Sequence, residues 1–250
     1  MRIIYRLDVK TNKVVKPISF EGLRKVGEPP VLAKKAYEEG ADEILFLDIV
    51  ATLYDRKFNF EIIQNTVKNV FLPITVGGGI KNIEDAKKLI YSGADKLAIN
   101  TALFSNTNLS KNIANILGSQ AVVASVQVRE KNNDYVVMNN NGRDFSTYLL
   151  DQWIEILIEN NVGEILVTSI DRDGTLSGVD QNLVKELKKF AQYIPIIYSG
   201  GYRSIDDMRI LAENKIEAVA IGCAFHYGNL RISDVRNHAK KLSLSLERQA

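Results

Sequence analysis

Cysteine and histidine are nearly missing from this sequence. Cys223 stands alone, and His226 and His238 are the only histidines in 250 residues. A lone cysteine excludes an internal disulfide framework, and two histidines without thiol partners argue against a metal centre. Proline is scarce too, five residues with no Pro/Ser-rich stretch, so no linker divides the chain and one domain over 1–250 is expected. Neither sign of charge dominates: 32 basic and 30 acidic residues leave a net charge of +2, scattered rather than blocked. That balance excludes the basic stripe of a nucleic-acid-binding face. No apolar run approaches the ~18 residues needed to span a bilayer. Ile3-Ile4-Tyr5 is broken by Arg6 and Asp8 before it can form a secretory h-region. A cytoplasmic setting is expected, with no nucleic acid, membrane, metal or cofactor.

What the chain does contain is a long-range repeat. Leu72-Pro73-Ile74-Thr75-Val76-Gly77-Gly78-Gly79-Ile80 returns as Ile194-Pro195-Ile196-Ile197-Tyr198-Ser199-Gly200-Gly201-Tyr202. Ile83-Glu84-Asp85 returns as Ile205-Asp206-Asp207, Lys96-Leu97-Ala98-Ile99-Asn100 as Ala218-Val219-Ala220-Ile221-Gly222, and Glu43-Ile44-Leu45 as Glu164-Ile165-Leu166. A spacing of about half the chain far exceeds the ~20–50 residues of a solenoid unit. It suits two fused halves of one closed architecture.

Short apolar runs alternate with longer amphipathic ones throughout. Strands are expected at 3–9, 43–48, 74–77, 96–100, 121–128, 164–169, 195–199 and 218–221. Helices are expected near 30–39, 61–70, 83–92, 108–117, 149–161, 182–193, 205–214 and 233–241, with Asp180, Ser204 and Ser233 at N-cap positions. Eight strand–helix units imply parallel strands with helical crossovers. They close into a (β/α)8 barrel of two half-barrels, an open doubly wound sheet being the rival. Two connections are long: 10–29, polar, and 129–147, where Tyr135-Val136-Val137-Met138 suggests a short hairpin arm ending at 139–142. Long ordered loops usually cover or bind something.

In such a barrel, function sits at the carboxyl ends of the strands. Gly77-Gly78-Gly79 and Ser199-Gly200-Gly201 are glycine turns feeding helices, where backbone N–H groups can meet an anion. Two phosphate cradles are therefore expected: Gly79 with Asn100 and Thr101, and Gly201 with Gly222 and Cys223, assisted by Asp173 and Gly174. Asp8 ends the first strand, as a surface cap or a proton-transfer group. Its repeat partner is Gln127, which hydrogen-bonds but cannot titrate. Arg6 shares the parity of Asp8 and points inward, to pair with Asp8 or Asp48 or to meet an anionic ligand, unless a strand irregularity turns it out. Arg2, Glu43, Lys96 and Glu164 open four strands, as a charge-satisfied plug or the rim of a passage; barrel interiors are normally packed solid, which favours the plug.

Several of these segments together resemble one family. Arg6-Leu7-Asp8-Val9-Lys10, Val14-Val15-Lys16, Phe46-Leu47-Asp48-Ile49, Thr75-Val76-Gly77-Gly78-Gly79-Ile80, Ile99-Asn100-Thr101 and Thr168-Ser169-Ile170-Asp171-Arg172-Asp173-Gly174-Thr175 are similar to the cyclase subunit of imidazole glycerol phosphate synthase. The resemblance implies two phosphate sites for a bis-phosphorylated substrate, with Lys16 and Asp48 among the binding residues. It also implies a glutaminase partner at the amino-terminal mouth and ammonia passing through the barrel. Arg2, Glu43, Lys96 and Glu164 then fall on the ammonia gate, which raises the passage over the plug. Asp8 falls on the first of two catalytic aspartates, and Gln127 on the second. Arg6 and Pro17 stand where the family usually has Cys and Gly. These departures, with Ile49-Val50-Ala51-Thr52-Leu53-Tyr54, resemble cyclase-like paralogues that act with a glutaminase homologue and a third, ATP-dependent enzyme in acetamidino modification of bacterial surface-glycan sugars. The expected function is thus an ammonia-receiving barrel subunit of a glutamine-dependent amidotransferase for such a sugar or sugar-nucleotide ligand. The alternative is a working cyclase (a lyase-class activity) of histidine biosynthesis, with Asp8 as general acid/base.

Overall fold

Parallel strands buried on both faces need near-continuous apolar runs, and Glu43–Asp48 and Glu164–Ser169 are buried at every position. The computed structural model describes residues 1–54, 56 and 58–247, with side chains described to residue 241. Its strands and helices in the first half are β1 (Arg2–Lys10), β2 (Lys13–Ile18), β3 (Glu21–Gly27), α1 (Pro29–Glu38), β4 (Glu43–Asp48), α2 (Phe60–Val67), β5 (Ile74–Gly77), α3 (Ile83–Tyr91), β6 (Lys96–Ile99), α4 (Thr101–Ser105) and α5 (Asn108–Leu117). The second half holds β7 (Val122–Lys131), β8 (Asp134–Asn139), β9 (Asp144–Leu149), α6 (Leu150–Glu159), β10 (Glu164–Ser169), α7 (Gln181–Leu187), β11 (Ile196–Ser199), α8 (Ile205–Glu213), β12 (Ala218–Ile221), α9 (Cys223–His226) and α10 (Ile232–Glu247).

Eight parallel strands run in the order β10-β11-β12-β1-β4-β5-β6-β7, and β7 pairs with β10 to close the ring. This is a (β/α)8 barrel, and the open-sheet rival falls. The repeat persists in backbone geometry. Gly78 and Gly79 have φ of 107° and 72°, and Gly200 and Gly201 have 112° and 77°. A Cβ on Gly78 would lie 2.4 Å from the Asp48 carbonyl oxygen, and one on Gly200 would lie 2.6 Å from that of Ser169. Only glycine permits both the positive φ and the close approach. The helices after these turns are capped alike by a third-position aspartate: Asp85 accepts from the Lys81 N–H at 3.1 Å, and Asp207 accepts from the N–H groups of Arg203 and Ser204 at 2.7 and 2.9 Å.

Side-chain alternation divides the core into two layers. One fills the space between the strands and the helices, and a smaller apolar set including Ile4, Leu45, Ala98, Val123, Leu166 and Ile197 lines the inside of the barrel.

Four expectations need correction. The segment 10–29, expected as a long polar connection, holds two strands: β2 pairs antiparallel with β1, and β3 with β2, making a hairpin. The hairpin after β7, formed by β8 and β9, is its counterpart on the equivalent strand. Ser233 lies inside α10 rather than at its N-cap, and α7 ends at Leu187, well short of residue 193. Short helices α4 and α9, following β6 and β12, were not anticipated. Among the described residues no helix is long and apolar enough to cross a membrane.

Candidate functional site at the carboxyl-terminal mouth

The barrel interior carries charge at both ends, separated by its apolar middle. At the carboxyl end, Arg6 and Asp8 project from β1 with the same parity, and Lys16 reaches in from β2. Arg6 Nε donates to Asp8 Oδ1 at 2.8 Å and Lys16 Nζ to Asp8 Oδ2 at 2.9 Å. Lys16 also holds both carboxylate oxygens of Asp173, at 3.1 and 2.9 Å. Arg6 Nη1 donates to Ser199 Oγ at 3.0 Å and lies 3.6 Å from Asp173. All four charged side chains are essentially buried.

Two cations and two carboxylates therefore compensate one another in a low-dielectric setting, the arrangement that makes buried charge tolerable. Burial pushes the Asp8 pKa up, but the Arg6 and Lys16 charges and their hydrogen bonds outweigh it and hold the carboxyl at about 2. Burial likewise favours the neutral forms of Arg6 and Lys16, and the carboxylates reverse this, raising both. Arg6 thus pairs with Asp8, not with Asp48. Asp8 is neither a surface cap nor an exposed group, since none of it reaches solvent.

Asp48, at the end of β4, has another partner. Arg56 Nη2 donates to its two oxygens at 3.2 and 3.1 Å, and the Val50 N–H donates at 3.1 Å. Burial raises the Asp48 pKa against these contacts. Sequence reading passed over Arg56, although its place in the connection after β4, at the functional mouth, was a signal.

The two glycine turns have unequal surroundings. Beside the first lies a cavity of about 380 Å³, lined in part by Arg6, Asp48, Gly79, Asn100, Thr101 and Gln127. Asn100 Nδ2 donates to the Ser125 carbonyl at 2.6 Å, which fixes its amide, and Thr101 begins α4. Gln127 Oε1 is buried without a hydrogen-bond partner. Thr52, Lys81 and Asn106 also line this cavity and were missed from sequence. Beside the second turn, Asp173, Gly174, Gly201, Gly222 and Cys223 surround a recess of only about 20 Å³, room for roughly one water. Gly174 packs so tightly that a Cβ there would lie 2.4 Å from the Pro17 carbonyl oxygen. The Cys223 thiol donates to the Gly174 carbonyl at 3.4 Å, and burial raises its pKa. His226 receives a hydrogen bond from, or donates one to, Tyr5 Oη at 2.9 Å. Burial and then the Lys16 charge push its pKa down to about 4.

At the amino-terminal mouth, Arg2 pairs with Glu43 at 2.9 Å and with Glu164, while Lys96 Nζ lies 3.0 Å from Glu43 and 3.1 Å from Glu164. Thr75 Oγ1 donates to Glu43 at 2.5 Å. The ring is closed, with each charge meeting both opposite charges. Among the described residues no cluster of three or more His, Cys, Asp and Glu is arranged to hold a metal.

A closed, twice-repeated (β/α)8 barrel, polar at its carboxyl mouth and ringed by charge at the other, defines the class. Residues 2–231 match the model of a family described as histidine biosynthesis protein. The chain is 37% identical to imidazole glycerol phosphate synthase subunit HisF of Natranaerobius thermophilus, covering 95% of this chain and 94% of that one. It is 44% identical to the subunit HisF of Legionella pneumophila (83% and 98%) and 41% identical to that of Sulfolobus acidocaldarius (96% and 96%). The chain belongs to the histidine biosynthesis protein family and is of the HisF type.

Proposed function

We propose that this chain is the barrel subunit of an imidazole glycerol phosphate synthase-type glutamine amidotransferase. A glutaminase subunit docks at the amino-terminal mouth and supplies ammonia, and the barrel uses it on a phosphorylated ligand held at the carboxyl-terminal mouth, as a cyclase of histidine biosynthesis does. The observation that carries this reading is the 380 Å³ cavity beside Gly79, Asn100 and Thr101. Its backbone N–H groups and polar side chains suit a phosphate, and Gln127 Oε1 offers an unused acceptor to a ligand N–H or O–H. The apolar layer of Ile4, Leu45, Val123 and Leu166 suits neutral ammonia rather than ammonium. The relatives named HisF support this reading, and a cytoplasmic setting accords with it.

One observation favours a second reading. Asp8 is shut away from the cavity by Arg6 and Lys16, and Gln127 cannot carry a proton. Ring closure needing two proton-transfer groups would be poorly served. The barrel would then hand ammonia to an acetamidino modification of a surface-glycan sugar, together with an ATP-dependent amidotransferase.

Ammonia-driven conversion of phosphoribulosyl aminoimidazole carboxamide ribotide separates the two. Turnover abolished by Asp8→Asn supports the cyclase. No turnover by the wild type, with activity gained in Gln127→Asp, supports the sugar-modification subunit.

A further inference from the structure

The buried end of the first cavity holds a guanidinium whose bonding capacity is only partly used. From β1, Arg6 Nη1 reaches across to Ser199 Oγ on β11 at 3.0 Å and Thr168 Oγ1 on β10 at 3.5 Å, while Nε is held by Asp8. Ser199 donates its own proton to the Ala220 carbonyl at 3.0 Å, which leaves its oxygen to accept from Arg6. The Phe20 ring covers the guanidinium, its centroid 6.0 Å from the Arg6 Cζ. Nη2 makes no hydrogen bond among the described residues, and Arg6 lines the 380 Å³ cavity. Gln127 on β7 stands level with Thr168 in the strand register and lines the same cavity, with Oε1 buried and unpartnered. The two residues are 2% and 8% exposed. A fixed N–H donor and an idle amide oxygen, both withdrawn from bulk water, thus border one space.

Charge balance decides what these groups can take. Arg6 and Lys16 are already compensated by Asp8 and Asp173, and Asp48 by Arg56. Lys81, the other charged lining residue, stands two positions beyond Gly79, on the side of the glycine turn. A carboxylate beside Arg6 would add an uncompensated charge to a neutral buried cluster, and an ammonium would face the guanidinium directly. A neutral amide does neither: its carbonyl accepts from the Arg6 N–H and its N–H donates to Gln127 Oε1. A ligand without that pattern leaves both protein groups unpaired and is penalised for it. We propose that Arg6 and Gln127 are specificity-determining residues that select a ligand carrying a neutral amide at its buried end. The inference rests on the phosphorylated-ligand reading above for the phosphate at Gly79, Asn100 and Thr101, and adds the chemistry of the group at the opposite end of that cavity.

Titration calorimetry of the full chain with four series of phosphonates of increasing length tests it: n-alkylphosphonates, ω-phosphonoalkanamides, ω-phosphonoalkanoates and ω-aminoalkylphosphonates. At the best length the amide is expected to bind about tenfold more tightly than the plain alkyl compound, and the carboxylate and ammonium compounds no more tightly than it. Arg6→Lys and Gln127→Leu are each expected to bring the amide-to-alkyl ratio close to one. Arg6→Lys keeps a cation in the cluster, and Gln127→Leu replaces an amide whose oxygen has no partner, so the second variant decides the matter if the first fails to fold. A wild type that prefers the carboxylate or shows no amide preference, or an unchanged ratio in Gln127→Leu or in a folded Arg6→Lys, would overturn the assignment and leave the phosphorylated-ligand reading standing. Failure of the wild type to bind any of the phosphonates would overturn both.

Discussion

A buried ion cluster such as Arg6–Asp8–Lys16–Asp173 is held by mutual compensation, so removing one member is far costlier than its net contribution suggests. Lys16→Met leaves two carboxylates facing Arg6 alone, and a loss of about 3–5 kcal/mol is expected in urea unfolding. A loss under about 1 kcal/mol would mean that the cluster is hydrated rather than sealed. The pH dependence of stability separates one neighbour of the cluster from one of its members. His226 has its pKa depressed from 6.5 to about 4, so the unfolded chain takes up a proton that the folded chain refuses. That stability is present above 6.5 and is lost as pH falls toward 4. Asp8, depressed from 3.8 to about 2, acts in a lower window: its contribution is whole above 3.8 and disappears as pH falls toward 2. His226→Gln is therefore expected to flatten the unfolding free energy between pH 6.5 and 4 and to leave the steeper acid limb intact. Urea midpoints taken at half-unit pH steps check this, and an unchanged slope in the upper window would refute it.

At the scale of elements, the glycine turns and the barrel strands were legible because their constraints are local. A positive φ beside a close carbonyl demands glycine, and a strand buried on both faces reads as an unbroken apolar run. The first hairpin was not legible. β3 has five exposed positions in succession, β2 contains Pro17, and the Ser19-Phe20 turn has positive φ at residues that do not advertise it. Nor did spacing reveal that Arg56 would take Asp48 and leave Arg6 to Asp8, because that choice depends on where a mouth loop folds. The two hairpins meet at Gly142, where φ is +76° and the Phe20 ring fills the space of a side chain. Gly142→Ala is expected to cost about 1–3 kcal/mol through strain and overpacking, read as a lower urea midpoint with an unchanged m-value. A neutral outcome would mean that the hairpin turns part readily.

For the whole molecule, duplication accounts for the paired glutamates of the amino-terminal ring but not for its cations. Each half contributes a glutamate at the same strand position, Glu43 and Glu164, and the two cations, Arg2 and Lys96, come from the first half alone. Charge at strand beginnings was visible in the sequence, yet the choice between plug and passage was not, because it turns on distances across the barrel. Those distances describe a closed ring whose glutamates are its buried members, 2% and 7% exposed at the side chain, while Arg2 is 38% exposed. The cost of opening it should therefore be unequal. Lys96→Met leaves both glutamates held by Arg2, and a loss of about 1–2 kcal/mol is expected. Glu43→Leu strips one partner from both cations and the acceptor from Thr75, and about 3 kcal/mol or more is expected. In a complex with a glutaminase, Lys96→Met should also change the ratio of glutamine-driven to ammonium-driven turnover, since only the first route would pass the ring. Equal destabilisation by the two substitutions, together with an unchanged ratio, would make the ring an ordinary surface network and leave the barrel axis without a role in delivery.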